Sequence, residues 1–397
     1  MKRLFFVATL AIMAAGCQKT FVQNEVQTPI GFSTEVGKQT RAIVSNQNYL
    51  PAQPFAVYAY GHQKNEDGSY VQVDGENNIT TIMNNVEVKG TTNNAVTTWK
   101  ATEGAYYWPN DPRTKINFYA YSPAKPTPPA VATASDKHQL LTGTVSHDEI
   151  GGFALTDYVH SNMYVDFMVG RPVLGATYAD QDGTNGSDEN LPSVPVSFNH
   201  EMTQIVFNVE TSEAYSDVTF TVQSIVLNNI GSKATYTHTG MTPSYDDTDS
   251  KFTKGTWSAT TATNTYNVFP ASAIDADAAD GAPTLQTDEV ATVVTNTTVL
   301  ATTPVTMIPQ TLTASTPAVD QTPAVSGQSF TITYTIAGTG VATETVVKTL
   351  DFKKDAHTAW KQNTKVTYNI TIGLKEITFA PTVVGWDSES VEHPIFQ

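Results

Sequence analysis

Pro29-Ile30-Gly31-Phe32-Ser33-Thr34-Glu35-Val36 puts Ile30, Phe32, Thr34 and Val36 on one side of an extended chain, and Gly37 ends the run. The opposite end of the chain carries the same spacing: Ile377-x-Phe379-x-Pro381-x-Val383. Each copy aligns Ile, Phe and Val on one face of a strand. The early copy stands just before Thr40-Arg41-Ala42, a basic residue in a polar stretch, and the late copy follows the last regular strand of the chain.

Between these ends the sequence reads as β structure throughout. Phe55-Ala56-Val57-Tyr58-Ala59-Tyr60 and Ile116-Asn117-Phe118-Tyr119-Ala120-Tyr121 are dense in β-branched and aromatic residues. Asp166-Phe167-Met168-Val169-Gly170 is a shorter strand. Later strands are expected at Val196-Ser197-Phe198, Gln204 to Val209, Val218 to Leu227, Tyr266 to Phe269, Val305 to Ile308, Phe330 to Ile336, Val341 to Phe352 and Lys365 to Ile372. Gly338-Thr339-Gly340 lacks the third glycine and the following helix of a dinucleotide site, and it reads as a hairpin turn. No helical period lasts more than two turns. The polar run Asp180 to Glu189, closed by Pro192 and Pro195, marks a linker. The expected organisation is therefore all-β, with two sandwich domains at 42–193 and 194–397, the second ending in a segment of interest at about 377–397.

The chain has 397 residues, 38 acidic and 22 basic, for a net charge of −16. An acidic surface repels nucleic acid, which is excluded as a partner. Residues 1–17 read as an export signal: Lys2 and Arg3 precede an apolar run from Leu4 to Ala15, too short to span a bilayer, and Ala14-Ala15-Gly16-Cys17 has the small residues of a lipoprotein cleavage site. Cys17 is the one cysteine, placed where lipidation needs it, so no intramolecular disulfide can form. Residues 18–41 then form a prosegment carrying the first strand.

These features together resemble the fimbrillin family, the type V pilins of Bacteroidetes. The resemblance rests on Cys17, on Thr40-Arg41-Ala42, on Tyr107-Trp108-Pro109 followed by Phe118-Tyr119-Ala120-Tyr121-Ser122-Pro123, and on Val196-Ser197-Phe198-Asn199-His200. It continues through Met307-Ile308-Pro309-Gln310, Trp360, Tyr368-Asn369-Ile370, Ile377, Phe379, Pro381, Val383 and Trp386. It implies two tandem transthyretin-like β-sandwich domains, export to the outer membrane and cell surface as a lipoprotein, proteolysis between Arg41 and Ala42, and assembly with other fimbrial subunits by strand exchange. On that reading Ile30, Phe32 and Val36 belong to a displaced strand, and Ile377, Phe379 and Val383 to the donor strand that replaces it by β-strand addition. A host or bacterial surface ligand would be a further partner.

Other chemistry finds little footing in the sequence. None of the eight histidines forms a His-Glu-x-x-His pair, there is no Gly-x-Ser-x-Gly elbow, and the cysteine lies in the leader, so no catalytic residue, metal site or cofactor is expected. His147-Asp148-Glu149 reads as a solvated loop and His200 as a structural residue. Asp180-x-Asp182-Gly183 lacks the later glycine and flanking helices of a calcium loop. Two alternatives to a polymerising subunit remain at this stage: a monomeric surface lipoprotein that binds a glycan or host ligand, and a secreted hydrolase.

Overall fold

Phe55–His62 and Lys115–Ser122 lie side by side as antiparallel neighbours, and every residue of the first is buried. A strand apolar on both faces needs cover on both, and both covers are present. One face, with Phe55, Val57, Ala59, Phe118 and Ala120, lines the interior of a closed ring of strands. The other, with Tyr58, Tyr60, Tyr119 and Tyr121, packs outward against Phe153, Leu155, Phe167 and Tyr236.

The computed structural model describes residues 28–36, 54–65, 69–73, 76–93, 96–111, 113–124, 141–149, 151–161, 163, 165–177, 193–238, 255–270, 291–314, 316–317, 323–324, 327–353, 357–374 and 377–386. Their regular structure is all β, with no helix among the described residues. Cys17, Arg41, Ala42, the 180–189 linker and the segment 387–397 lie outside them.

Seven strands close the ring among the described residues. Going round, they are Gly31–Val36, Val96–Ala101, Ile79–Asn93, Phe55–His62, Lys115–Ser122, Met168–Gly170 and Ser193–His200, which returns to Gly31–Val36. All neighbours are antiparallel except the last pair. Val196-Ser197-Phe198, read from the sequence as the opening of the second domain, is thus part of the ring wall. Conversely, Phe153–Val159 and Thr144–His147 pair into the second half of the molecule.

That half is two sheets around one core. Val218–His238, 21 residues long, is the spine of the larger sheet. One edge of the spine carries Ser329–Gly338, with Val341–Asp351 beyond it, and then Phe153–Val159. Its other edge carries Thr292–Val294, Ala262–Phe269 and Thr256–Trp257. The smaller sheet sets Thr203–Thr211 parallel to Thr364–Ile372, with Ile377–Gly385 antiparallel at its edge. Phe207, Phe330, Phe352, Tyr368 and Phe379 fill the space between the sheets. The Ser329–Gly338 and Val341–Asp351 strands form the expected hairpin, with Gly340 at φ 76° in the turn, where a side chain is disfavoured.

Candidate functional site

Gly31–Val36 fills a slot between two strands that are far from it in sequence. All six residues pair in parallel with Ser193 to Phe198. On the other side, the pairing with Val96–Ala101 consists of Phe32 opposite Trp99. Just before the strand, the Ile30 N–H donates to the Tyr106 carbonyl at 2.7 Å, and the Thr28 carbonyl accepts from the Trp108 N–H at 3.1 Å. The even-numbered residues therefore direct their backbone groups to the Val96–Trp108 side, and the odd-numbered ones to Ser193–His200.

Ile30 and Phe32 are 6% and 4% exposed and point into the ring. Phe32 meets Phe55 and Phe118 edge-on, with ring centroids 5.9 and 6.0 Å away. Burying side chains of this size is worth about 1.5–3 kcal/mol each. Val36 lies at the end of the strand, opposite Phe198. An empty slot would leave an apolar trough floored by Phe55, Phe118 and Phe198 and bordered by two unpaired edges.

Ile377–Gly385 is built differently. Among the described residues it has one neighbour in its sheet, with Ile377 opposite Ile372, Phe379 opposite Ile370, Pro381 opposite Tyr368 and Val383 opposite Val366. Phe379 is buried against Phe330 and Tyr368, and Ile377 is half-buried beside the same core. Val383 and Val384 are close to half exposed. Pro381 suits an edge strand, where its missing N–H removes no ladder bond.

Just past this strand, Trp386 returns to the junction with the ring. Its indole lies parallel to the His200 imidazole, centroids 3.9 Å apart and planes within 1°. The Trp386 N–H donates to the Asn363 carbonyl. His200 Nδ1 is 2.8 Å from Asp166 Oδ2, both side chains fully enclosed. His200 is thus enclosed against the Asp166 carboxylate of a neighbouring non-strand segment. Beside it, Gln362 donates to Glu201, whose carbonyl accepts from the Trp257 indole N–H at 2.7 Å. Sequence reasoning singles out neither Asp166, which lies between Val165 and Phe167, nor Glu201, which lies between His200 and Met202; a carboxylate beside apolar residues is the available signal.

Two further histidines lie in the same junction, His160 buried and His147 half-buried. His160 Nε2–H donates to the Thr306 carbonyl at 2.6 Å, and the Tyr158 hydroxyl donates to its Nδ1 at 2.8 Å. Burial lowers its pKa to about 4. His147 overturns its reading as part of a solvated loop. It ends the strand Thr144–His147, stacks on Tyr58 and Tyr60 at 4.8 and 5.5 Å, and burial lowers it too to about 4. The aromatic cover on its ring comes from the outer face of the barrel, whose presence the local sequence does not reveal. No group of three or more His, Cys, Asp or Glu side chains suited to a metal ion occurs among the described residues.

Several solved structures align with most of this chain. A fimbrial protein from Bacteroides vulgatus is 21% identical, with 90% of this chain and 99% of that one covered and a TM-score of 0.47. A candidate cell adhesion protein from Bacteroides uniformis is 15% identical, with 91% and 99% covered and a TM-score of 0.44. The tip fimbrial protein Mfa3 from Porphyromonas gingivalis, C-terminally truncated, is 11% identical, with 84% and 94% covered and a TM-score of 0.27. No curated protein matches in sequence. The fimbrillin-like family pattern matches residues 40–386, nearly the whole chain, and the protein belongs to that family.

Proposed function

We propose that the protein is a structural, non-enzymatic subunit of a cell-surface fimbria, built of two transthyretin-like domains and polymerised by strand exchange. It is exported as a lipoprotein through Cys17 and held at the outer membrane until a protease cuts between Arg41 and Ala42. The cut frees 18–41, and with it the strand Gly31–Val36. The C-terminal segment of another subunit, carrying Ile377, Phe379 and Val383, then occupies the slot. Successive subunits join head to tail in an open filament that supports adhesion.

The observation that carries this reading is the slot itself. Gly31–Val36 completes a closed ring yet belongs to the stretch upstream of Arg41, and Ile30 and Phe32 hold the apolar trough until it leaves. While the strand is in place, the edges of Val96–Ala101 and Ser193–His200 are occupied, which guards against premature association. Family membership and the edge position of Ile377–Gly385 agree with it.

Incubation of the purified precursor with a trypsin-like protease tests the proposal. The expected result is a ladder of multimers, Ala42 as the new N-terminus, and no ladder from Arg41→Ala. A cut chain that stays monomeric at high concentration would instead favour a monomeric surface protein that binds a glycan or host ligand.

A further inference from the structure

The slot and the incoming strand are not symmetric, and the asymmetry lies in a single backbone N–H. Inward-facing residues of Gly31–Val36 direct their N–H groups towards Val96–Trp108, because Ile30 donates there and parity carries this to Phe32, Thr34 and Val36. On that side the pairing within the strand consists of Phe32 opposite Trp99, so among the described residues Thr34 has no cross-strand partner there. On the other side every residue from Gly31 to Val36 is matched to Ser193–His200. A strand that enters in the reverse direction with the same face inward sends the N–H of its inward residues to the opposite edge.

Ile377, Phe379, Pro381 and Val383 share a face, and Pro381 has no N–H to give. Entry in the direction of the departed strand, with Ile377 at the place of Ile30 and Phe379 at that of Phe32, sets Pro381 at Thr34. The N–H it lacks would have pointed to the unpaired side. A shift that put Pro381 at Phe32 would break the pair with Trp99, and one that put it at Val36 would set Lys375 in the buried apolar place of Ile30. Entry in the reverse direction would turn Pro381 towards Ser193–His200 and break the continuous ladder at any register. We infer that Pro381 is a specificity-determining residue: it fixes the incoming strand parallel to Ser193–His200, with Ile377, Phe379, Pro381 and Val383 in the places of Ile30, Phe32, Thr34 and Val36. This rests on the strand-exchange reading above and adds the direction and register of the contact.

The outward residues of the new ladder make the test. In the inferred register, Thr378 of one subunit lies opposite Ser193 of the next, and Thr382 opposite Ser197, as Gly31 and Glu35 do now. Ser193 and Ser197 are about 13 Å apart along the strand, beyond the reach of a short bis-thiol cross-linker. In the full chain with Cys17→Ser, protease cleavage followed by cross-linking is expected to give multimers from Thr378→Cys with Ser193→Cys and from Thr382→Cys with Ser197→Cys. The exchanged pairings, Thr378 with Ser197 and Thr382 with Ser193, are expected to give none. Pro381→Ala, at a half-buried place on a sheet edge where folding tolerates it, is expected to raise the exchanged products roughly tenfold by restoring the missing donor. Cross-linking of the exchanged pairings without that substitution overturns the inferred direction, and an unchanged ratio in Pro381→Ala removes Pro381 as its cause. A wild-type ladder with no cross-link in any pairing rejects this register but keeps strand exchange. The absence of any ladder rejects both.

Discussion

Phe32→Ala measures how firmly the slot is held. Phe32 is almost fully enclosed and meets two aromatic rings edge-on, so its truncation removes both contacts and leaves a cavity in the ring. Phe→Ala in a core costs about 3–5 kcal/mol; the lower end applies here, because the strand is short and its surroundings can relax. A loss of about 3 kcal/mol raises the local opening equilibrium roughly 100-fold. The effect should remain local, because the strand is held by one ladder and one cross-strand pair rather than by a hairpin. Hydrogen exchange on the uncut chain reads this directly. Amides of Ser193–His200 that face the strand should exchange roughly 100-fold faster, while those of Thr364–Ile372, in the other core, should not change. The uncut variant should also begin to form multimers at high concentration, and Ser33→Ala, on the outer face, should do neither. Equal acceleration in both regions, or less than about threefold in Ser193–His200, would refute the reasoning, since the strand would then be no separate unit.

Three further outcomes are expected. Trp386→Ala removes a buried indole stacked on His200 and should lower the stability of the uncut chain by about 3 kcal/mol in urea titration. His160 and His147 have folded pKa values near 4, below the unfolded value near 6.5, so between these limits the unfolded chain binds protons that the folded chain refuses. Stability should hold above pH 6.5 and fall on the order of 2 kcal/mol per histidine by pH 5, and His160→Gln should remove part of that slope in a urea midpoint series. Gly340→Ala places a side chain at φ 76° with open space around it, and should cost about 1 kcal/mol from backbone strain alone, read as a lowered melting temperature.

What could be read from the sequence depended on how local the cause was. Thr364–Ile372 alternates in the sequence because one face meets the core and the other does not. Phe55–His62 and Lys115–Ser122 announce strands by composition, and their lack of alternation reflects burial on both faces. The sequence pattern marks the spine only from Val218 to Leu227, for a physical reason. Bulges between Val222 and Ser224 and between Leu227 and Ile230 shift the buried positions from Phe220 and Val222 to Ile225 and Leu227 and then to Ile230, which breaks any period-two count. Ile79–Asn93 escaped because it is rich in Thr and Asn and bends at Asn85, φ 54°. Both parallel pairings and the stack of Trp386 on His200 join residues far apart in sequence, and no local pattern encodes them. The candidate site was legible for the opposite reason: Ile30, Phe32, Ile377 and Phe379 each carry their face in their own spacing.

Topology gives Gly31–Val36 a property that no other strand of the ring shares. Ile79–Asn93 and Val96–Ala101 are two residues apart in sequence and pair over six positions, so extracting either one tears the other. Phe55–His62 and Lys115–Ser122 lie mutually paired at the heart of both the ring interior and the junction core. Ser193–His200 leads directly into Thr203–Thr211 and the second core. Met168–Gly170 also has both ring neighbours distant in sequence, but each pairing is a ladder of two or three positions and Val169 belongs to the junction core. Gly31–Val36 alone combines distant ring neighbours, one of them held by a single pair, with no part in the junction core. Its departure opens the ring without unthreading any connection and leaves the remaining six strands in their present order. Under the strand exchange proposed above, the ring opens at this seam at the lowest cost. About two large apolar side chains, Ile30 and Phe32, are buried at the seam, which keeps it shut while the strand is tethered, and in the proposed exchange a second Ile-x-Phe strand would replace that burial.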